Sequence, residues 1–117
     1  MKKFQDKVVL ITGGSRGLGK SMSLGFAREG AKVIIASRKQ ENCTALANSI
    51  VEQGGQAIGI AANTGKTEDI DSLIEQVNAA YGTVDNLVNN ADTNVAYGAL
   101  TAFTHEHIDT MYKINLR

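Results

Sequence analysis

Residues 8–19, VVLITGGSRGLG, decide the fold of this 117-residue chain. Residues 8–11 form a β-branched apolar run, which is typical of a strand buried on both faces. The glycine-rich segment 12–19 follows directly and leads into a stretch of helical character. A strand, a glycine-rich turn and a helix in direct succession predict a loop that holds a phosphate group.

The same alternation continues along the chain. Residues 33–36 predict a second buried strand, and residues 57–62 and 87–88 are weaker candidates for a third and a fourth. Three stretches of helical character separate these strands. Each ends at glycine, a residue typical of helix ends, at Gly30, at Gly54 with Gly55, and at Gly82.

The third helical stretch has the clearest pattern. Thr67 is the expected N-cap, and acidic residues follow it at the positive end of the helix dipole. The i, i+3, i+4, i+7 spacing of an amphipathic helix is met by Ile70, Leu73, Ile74 and Val77.

A fourth helix is expected from Asp109 to Leu116, since Ile108, Met111, Tyr112 and Asn115 repeat that spacing. Alternating strands and helices with short connections predict an α/β fold, a Rossmann-like doubly wound parallel sheet. The expected strand order is 3-2-1-4. Such a sheet normally continues past its fourth strand, whereas this chain is expected to end first. If the sequence is complete, the outer edge of strand four is therefore expected to be open and to require a partner.

Composition and charge limit the classes of function that this chain is expected to have. Residues 1–117 fit one small domain, with 43% hydrophobic and 21% charged residues, as in soluble globular proteins. Twelve basic residues balance twelve acidic ones, so binding to nucleic acid or to a membrane surface is not expected. No metal site is expected, because His105 and His107 point to different sides of a helix. The single Cys43, interpreted as an ordinary helix residue, indicates a reducing compartment, and a cytoplasmic location is expected.

The glycine-rich segment has the residues that a pyrophosphate requires. Gly13, Gly17 and Gly19 allow a tight turn and a close approach of ligand to backbone at a helix N-terminus. Ser15 and Arg16 add side-chain donors, and Leu18 completes the predicted binding loop. The alternative is a glycine-rich turn that binds nothing.

The spacing T-G-x-x-x-G-x-G of residues 12–19 resembles that of the short-chain dehydrogenase/reductase family. Asn89-Asn90-Ala91 is similar to the family's N-N-A-G segment, and Asn115 stands where the family has a catalytic asparagine. The resemblance implies that Asn89, Asn90 and Ala91 lie at the cofactor site. Two adjacent amides after a strand are equally consistent with a hydrogen-bonded turn.

The end of the second strand indicates which dinucleotide binds. An NAD site usually has an acidic residue there for the ribose 2′-hydroxyl, whereas this chain has Ser37, Arg38 and Lys39. A guanidinium and a hydroxyl bind a 2′-phosphate instead. NADP is therefore preferred over NAD, with Ser37 and Arg38 as binding residues. The alternative is that Arg38 and Lys39 are only the solvated start of a helix.

Two positions depart from the resembled family. Asn63-Thr64 stands where many members have Asp-Val, whose acid binds the adenine amino group. An amide oxygen still accepts that hydrogen bond, so both residues are assigned to the cofactor site. Asp92 replaces the expected glycine near the position implied for the nicotinamide ribose.

The catalytic pair of the resembled family, Tyr-x-x-x-Lys, does not occur in this sequence. Tyr81, Tyr97 and Tyr112 are followed at that spacing by Asp, Thr and Leu. The fold is therefore expected to be truncated before the catalytic half, and the chain is not expected to turn over alone. The resemblance implies that Asn115 holds a water in a proton relay, while a hydrogen-bonded core asparagine is the equal alternative.

Three functional hypotheses follow. The first is the NADP(H)-binding half of a short-chain dehydrogenase/reductase that, at full length, interconverts alcohols and carbonyls. The second is a truncated, non-catalytic protein that forms a homodimer through the open edge of strand four, with or without nucleotide. The third and weakest is a nucleotide-binding regulatory module.

Overall fold

A computed structural model of the chain describes residues 3–13, 17–63, 66–82, 84–89 and 110–113. Within these ranges, β-strands alternate with helices up to the fourth strand, and a fifth strand is described after it. The strands are β1 (Val8–Thr12), β2 (Lys32–Ser37), β3 (Gln56–Ala61), β4 (Asn86–Asn89) and β5 (Thr110–Lys113). The helices are α1 (Gly17–Arg28), α2 (Gln40–Glu52) and α3 (Thr67–Tyr81).

All strand pairs are parallel, and the sheet order is β3-β2-β1-β4-β5. The predicted order of the first four strands is confirmed. β1 lies at the centre, and all five of its residues are buried. This agrees with the expectation that an apolar run without alternation lies between two layers of helices.

Two apolar clusters cover the two faces of the sheet. On one face, the buried side chains of α3, Ile70, Leu73 and Val77, pack with Leu10 and Ile34 of the strands. On the other face, residues of α1 and α2 pack with alternate strand residues, namely Ala27, Cys43, Leu46, Ala47 and Ile50 with Val9, Ile11, Val33 and Ile35. Burial of each large aliphatic side chain contributes about 1.5–3 kcal/mol, so both faces stabilise the sheet.

The predicted fourth helix is wrong over the described residues 110–113, which form the strand β5. β5 pairs with β4 in the register Asn86↔Thr110 to Asn89↔Lys113. The expectation of an open edge on strand four is therefore also wrong. Unpaired N–H and C=O groups on a sheet edge favour pairing with an added strand. The segment's β-branched and aromatic residues suit a strand, and spacing alone does not distinguish the two structures in a short segment.

The predicted N-cap of the third helix is displaced by one residue. Thr67 is the first residue of α3, and the N-cap position belongs to Lys66, which makes no side-chain capping bond. Asp69 instead reaches back from the first turn, and its carboxylate accepts a hydrogen bond from the backbone N–H of Asn63 at 2.8 Å. This carboxylate ties the loop after β3 to the helix start, so the helix begins without a Thr cap.

Candidate functional site: the carboxyl edge of the sheet

The carboxyl ends of the first four strands meet at one edge of the sheet, because the strands are parallel. Thr12 of β1 is in register with Ala36 of β2 and with Asn89 of β4, and Ser37 is in register with Ala61 of β3. Ligands of open α/β sheets bind outside this edge. The edge therefore brings together most of the predicted site residues that the structure describes.

The glycine loop leaves the sheet at this edge. The N–H of Gly13 donates to the carbonyl of Ala36 at 2.7 Å, which continues the pairing of β1 with β2 by one residue. Gly13 and Gly17 have φ of 68° and 56°, in the left-handed region that favours glycine. α1 begins at Gly17, so its unpaired N–H groups face the edge. The predicted Ser15 and Arg16 lie outside the described residues.

The first turn of α1 contains no acidic residue. Among the residues that the structure describes, none has an atom within 4 Å of a Cβ added at Gly17, and the side chain of Leu18 is 43% exposed. Gly19 is buried, and its carbonyl accepts a hydrogen bond from the Ser23 hydroxyl at 2.8 Å. No described residue thus fills the space at the start of α1, next to the positive end of the helix dipole, and this arrangement favours an anion.

The end of β2 provides the second part of the site. Ser37 is half-buried and Arg38 is exposed. Among the described residues, no hydrogen bond or ion pair is formed by the Arg38 guanidinium. The Ser37 hydroxyl lies 2.9 Å from the Cys43 thiol. If the thiol donates in this pair, the Ser37 O–H remains able to donate to a phosphate oxygen.

The end of β3 lies beside the end of β2. The N–H of Ala62 donates to the carbonyl of Ser37 at 2.8 Å, and the N–H of Asn63 is bound by Asp69. Asn63 itself is half-buried. The end of β2 and the loop that contains Asn63 are therefore held together by backbone hydrogen bonds.

Several predicted residues are not covered by the structure. Thr64, Asn90, Ala91 and Asn115 lie outside the described residues. Asn89 is described only as the last residue of β4. The hydroxyl of the buried Thr12 approaches the carbonyl of Val88 at 3.4 Å, which links the glycine loop to the end of β4.

Sequence reasoning missed three residues at this edge: Gln40, Cys43 and Asp69. Gln40 binds the backbone of β3, Cys43 contacts Ser37, and Asp69 binds Asn63. Asp69 carried a usable signal, since an acid in the first turn of a helix often binds backbone N–H groups. Gln40 and Cys43 carried none, because their partners lie on strands whose distance from α2 is set by tertiary packing.

The opposite, amino edge of the sheet has a different character. The Lys32 ammonium lies 5.8 Å from the ring centroid of Tyr81, where β2 begins and α3 ends. Burial raises the pKa of the Tyr81 phenol above its ordinary value of 10.0. Both groups lie away from the glycine loop, so they support the fold rather than the site.

The described part of the chain contains neither a candidate metal site nor a candidate membrane span. No group of three or more His, Cys, Asp or Glu residues there is placed to hold a metal ion. None of the described helices has the length and apolar character needed to cross a membrane.

The amino-acid sequence is similar to those of known oxidoreductases. Residues 7–117 match the family described as short chain dehydrogenase. The chain is 35% identical to the oxidoreductase YxnA of Bacillus subtilis, over 98% of this chain and 32% of that protein. It is 32% identical to dehydrogenase/reductase SDR family member 4 of Sus scrofa, over 99% of this chain and 42% of that protein.

Solved structures agree with these matches. The crystal structure of L-sorbose reductase from Gluconobacter frateurii, complexed with NADPH and L-sorbose, aligns with a TM-score of 0.75 and 34% identity. That alignment covers 79% of this chain and 35% of the reductase. The RhlG/NADP complex of Pseudomonas aeruginosa aligns with a TM-score of 0.73 and 30% identity, over 79% of this chain and 37% of RhlG.

These relatives are longer than the present chain, which spans about a third to two fifths of the length of the curated proteins named above. The family match nevertheless extends over nearly all of its residues and includes the glycine loop at the carboxyl edge. The predicted parallel sheet, glycine loop and strand order agree with the match. The chain belongs to the short-chain dehydrogenase/reductase family.

Proposed function

We propose that this chain is the NADP(H)-binding part of an oxidoreductase that interconverts alcohols and carbonyls. One observation carries the proposal: the acid-free start of α1 and the Ser37-Arg38 end of β2 lie at the same edge of one sheet. The first suits a pyrophosphate and the second suits a 2′-phosphate.

The described residues fit such a dinucleotide. Gly13 and Gly17 turn the backbone so that the first N–H groups of α1 are accessible to the pyrophosphate oxygens. Ser37 and Arg38 would bind the 2′-phosphate, and no carboxylate lies at residues 37–39 to repel it. Asn63 and Thr64 would bind the adenine. The loop residues Ser15, Arg16, Leu18 and Gly19, with Asn90 and Ala91, complete the proposed site.

The preference for NADP over NAD has support from two relatives. The solved L-sorbose reductase is a complex with NADPH, and the solved RhlG is a complex with NADP. A bidentate guanidinium and a hydroxyl at the end of β2 explain such a preference in physical terms, because both donate hydrogen bonds to a phosphate.

The chemistry of the proposed activity is divided between cofactor and chain. A bound NADPH supplies the hydride. This chain's residues bind and orient the cofactor, and Asn115 is proposed to take part in proton transfer, as the family resemblance implies. A Tyr-x-x-x-Lys pair is not among the 117 residues. We therefore propose that these residues bind cofactor without reducing a carbonyl on their own.

The test is the change Arg38→Gln, which removes the charge but keeps a long polar side chain. We expect NADPH affinity to fall about tenfold or more, since hydrogen bonds to charged groups contribute about 1.5–3 kcal/mol. NADH affinity is expected to change little. Titrations that follow nicotinamide fluorescence measure both.

The matched control is Arg28→Gln. Arg28 is the last residue of α1, and this end of the helix lies at the amino edge of the sheet, away from the proposed site. The control change should leave both affinities unchanged. An equal loss of NADPH and NADH affinity in Arg38→Gln would contradict the assignment of Arg38, and wild-type protein that binds neither dinucleotide would overturn the proposed function.

A further inference from the structure

Gln40, the first residue of α2, binds the edge strand of the sheet through its side chain. Its amide nitrogen donates to the carbonyl of Gly59 at 3.0 Å, and its amide oxygen accepts from the N–H of Ala61 at 3.1 Å. β3 is the outermost strand on this side of the described sheet. The side-chain amide therefore makes the two hydrogen bonds that the backbone of a neighbouring strand would make.

Cys43 lies one turn later in α2, and its side chain contacts both β2 and β3 near their carboxyl ends. Its sulfur is 2.9 Å from the Ser37 hydroxyl and lies 3.9 Å and 3.8 Å from the carbonyls of Ser37 and Ile60. The side chain is fully buried. We call Gln40 and Cys43 together the α2 clamp, because they contact the ends of both β2 and β3.

The α2 clamp depends on an unusually close approach of helix to strand. A Cβ added to Gly59 would lie 2.5 Å from the backbone carbon of Cys43 and 2.6 Å from its oxygen. Only glycine at this position lets the backbone of α2 pack against β3 at this distance. The close packing brings the Gln40 amide within hydrogen-bonding distance of the strand edge.

The α2 clamp adds side-chain contacts to the backbone pairing of β2 with β3, which holds together the two parts of the site proposed for the adenosine end of the cofactor. Ser37 and Arg38 precede Gln40 by three and two residues, and Asn63 follows Ala61 by two residues. A ligand with a 2′-phosphate must contact both parts at once. If their separation is fixed before binding, the ligand does not have to order them, which increases affinity.

We propose that Gln40 is a positioning residue for NADP(H): it holds the start of α2, and with it the preceding Arg38, against the end of β3, and so increases the preference for a 2′-phosphorylated cofactor. This inference rests on the proposed function. Gln40 does not contact the cofactor in this account and acts through the backbone of β3 and the start of α2.

A purely structural role makes a different prediction. Side-chain cover of an edge strand also protects a sheet from pairing with other chains. If that were its only role, loss of the Gln40 amide would reduce stability and weaken both dinucleotides equally. A positioning role instead weakens NADPH more than NADH, because only NADPH has the phosphate that Ser37 and Arg38 bind.

The experiment compares Gln40→Met with wild type. Methionine has a similar length and helix propensity but forms neither hydrogen bond. We expect a three- to tenfold loss of affinity for NADPH and for adenosine 2′,5′-bisphosphate, a size that matches the free energy of one or two ordinary hydrogen bonds. The expected loss of affinity for NADH is less than twofold. Circular dichroism and thermal unfolding establish that the variant is folded at the titration temperature.

Gln76→Met is the matched control. Gln76 is an exposed glutamine in α3, and its amide binds Ser72 of its own helix. This variant should bind both dinucleotides like wild type. Should Gln40→Met fail to fold, Gln40→Asn replaces it, because its amide is one methylene too short to reach Gly59 and Ala61 together, and the same selective loss is expected.

Two results overturn the inference. Equal losses for NADPH and NADH in the Gln40 variant assign Gln40 a purely structural role, and unchanged affinities assign it no role in binding. Failure of the proposed function is distinguishable from both, since it appears in the wild-type titration as absence of binding to either dinucleotide.

Discussion

Two helices begin at the carboxyl edge of the sheet on opposite faces, and their first turns differ. α1 starts at Gly17 after a glycine loop, with no acidic residue in its first turn. α3 starts at Thr67 and has Glu68 and Asp69 in its first turn. Both helix dipoles place partial positive charge at this edge. α3 neutralises that charge with its own carboxylates, whereas α1 leaves it available to a ligand.

An anion site therefore requires more than a helix N-terminus. At α3, Asp69 binds the N–H of Asn63, so the helix start is occupied by the chain itself. At α1, Gly13 and Gly17 are in the left-handed conformation, and no atom of the described part of the chain lies within 4 Å of a Cβ built at Gly17. This difference supports the proposal that the pyrophosphate binds at α1.

The largest expected effect comes from making α1 resemble α3 with Leu18→Glu. We expect NADPH affinity to fall at least about tenfold, because like charges a few ångströms apart near a protein surface repel by on the order of 4 kcal/mol or less. Stability should hold or rise by about 0.3–1 kcal/mol, since an acid suits a helix N-terminus. Dinucleotide titration and urea unfolding measure the two effects.

Val51→Glu is the control for this change. Val51 is the second large exposed apolar residue of the described chain, 53% exposed near the end of α2. The same charge introduced there should leave NADPH affinity unchanged. Undiminished NADPH binding by Leu18→Glu would show that the anion does not bind at the start of α1.

A smaller effect is expected at α3 from Asp69→Ala. Loss of the bond to Asn63 and of the charge at the helix start should lower the free energy of unfolding by about 1 kcal/mol. Urea unfolding measures it. Asp71→Ala is the control, because Asp71 is exposed in the same helix and makes no hydrogen bond among the described residues. Equal destabilisation by the two changes would be evidence against the role of Asp69.

The smallest effect concerns the far end of α3, where Tyr81 packs near Lys32. Burial raises the pKa of the Tyr81 phenol in the folded protein, so the folded state holds the phenol proton more tightly than the unfolded state does. The stability that the buried, protonated phenol contributes is therefore fully present below pH 10 and is lost as the pH rises through the folded pKa. The Tyr81→Phe variant has no phenol to ionise, so its stability does not fall for this reason at high pH. The stability difference between wild type and variant should therefore change by less than about 1 kcal/mol above pH 10.

Unfolding followed by fluorescence or circular dichroism between pH 8 and about 11 measures that difference. NADPH affinity at neutral pH should be the same in the two proteins, because Tyr81 lies at the amino edge. A reduced NADPH affinity in Tyr81→Phe would break the contrast between the two edges of the sheet.

The main features of the fold were predictable from local patterns. The apolar run 8–11 and the i, i+3, i+4 spacing of Ile70, Leu73 and Ile74 are properties of short segments, and β1 and α3 follow them. The order of the first four strands is the one that the predicted doubly wound fold has. The glycine loop was recognisable because its glycines stand between a strand and a helix.

The remaining features depend on contacts between distant segments. Thr110–Lys113 has a spacing compatible with a helix, yet it forms a strand because the edge of β4 offers a backbone to pair with. The bonds of Gln40 to Gly59 and Ala61 span about twenty residues and require the close packing of α2 on β3. No local pattern predicts such distances.

The most direct test of the account is a backbone amide NMR spectrum of the 12.4 kDa chain with and without NADPH. We predict the largest shift changes at Gly13, at residues 17–19 and at residues 37–38, with little change in the first turn of α3 or at Tyr81. Saturating NADPH that leaves the amides of Gly13 and residues 17–19 unchanged, or that shifts the start of α3 instead, would contradict the assignment of the pyrophosphate to α1.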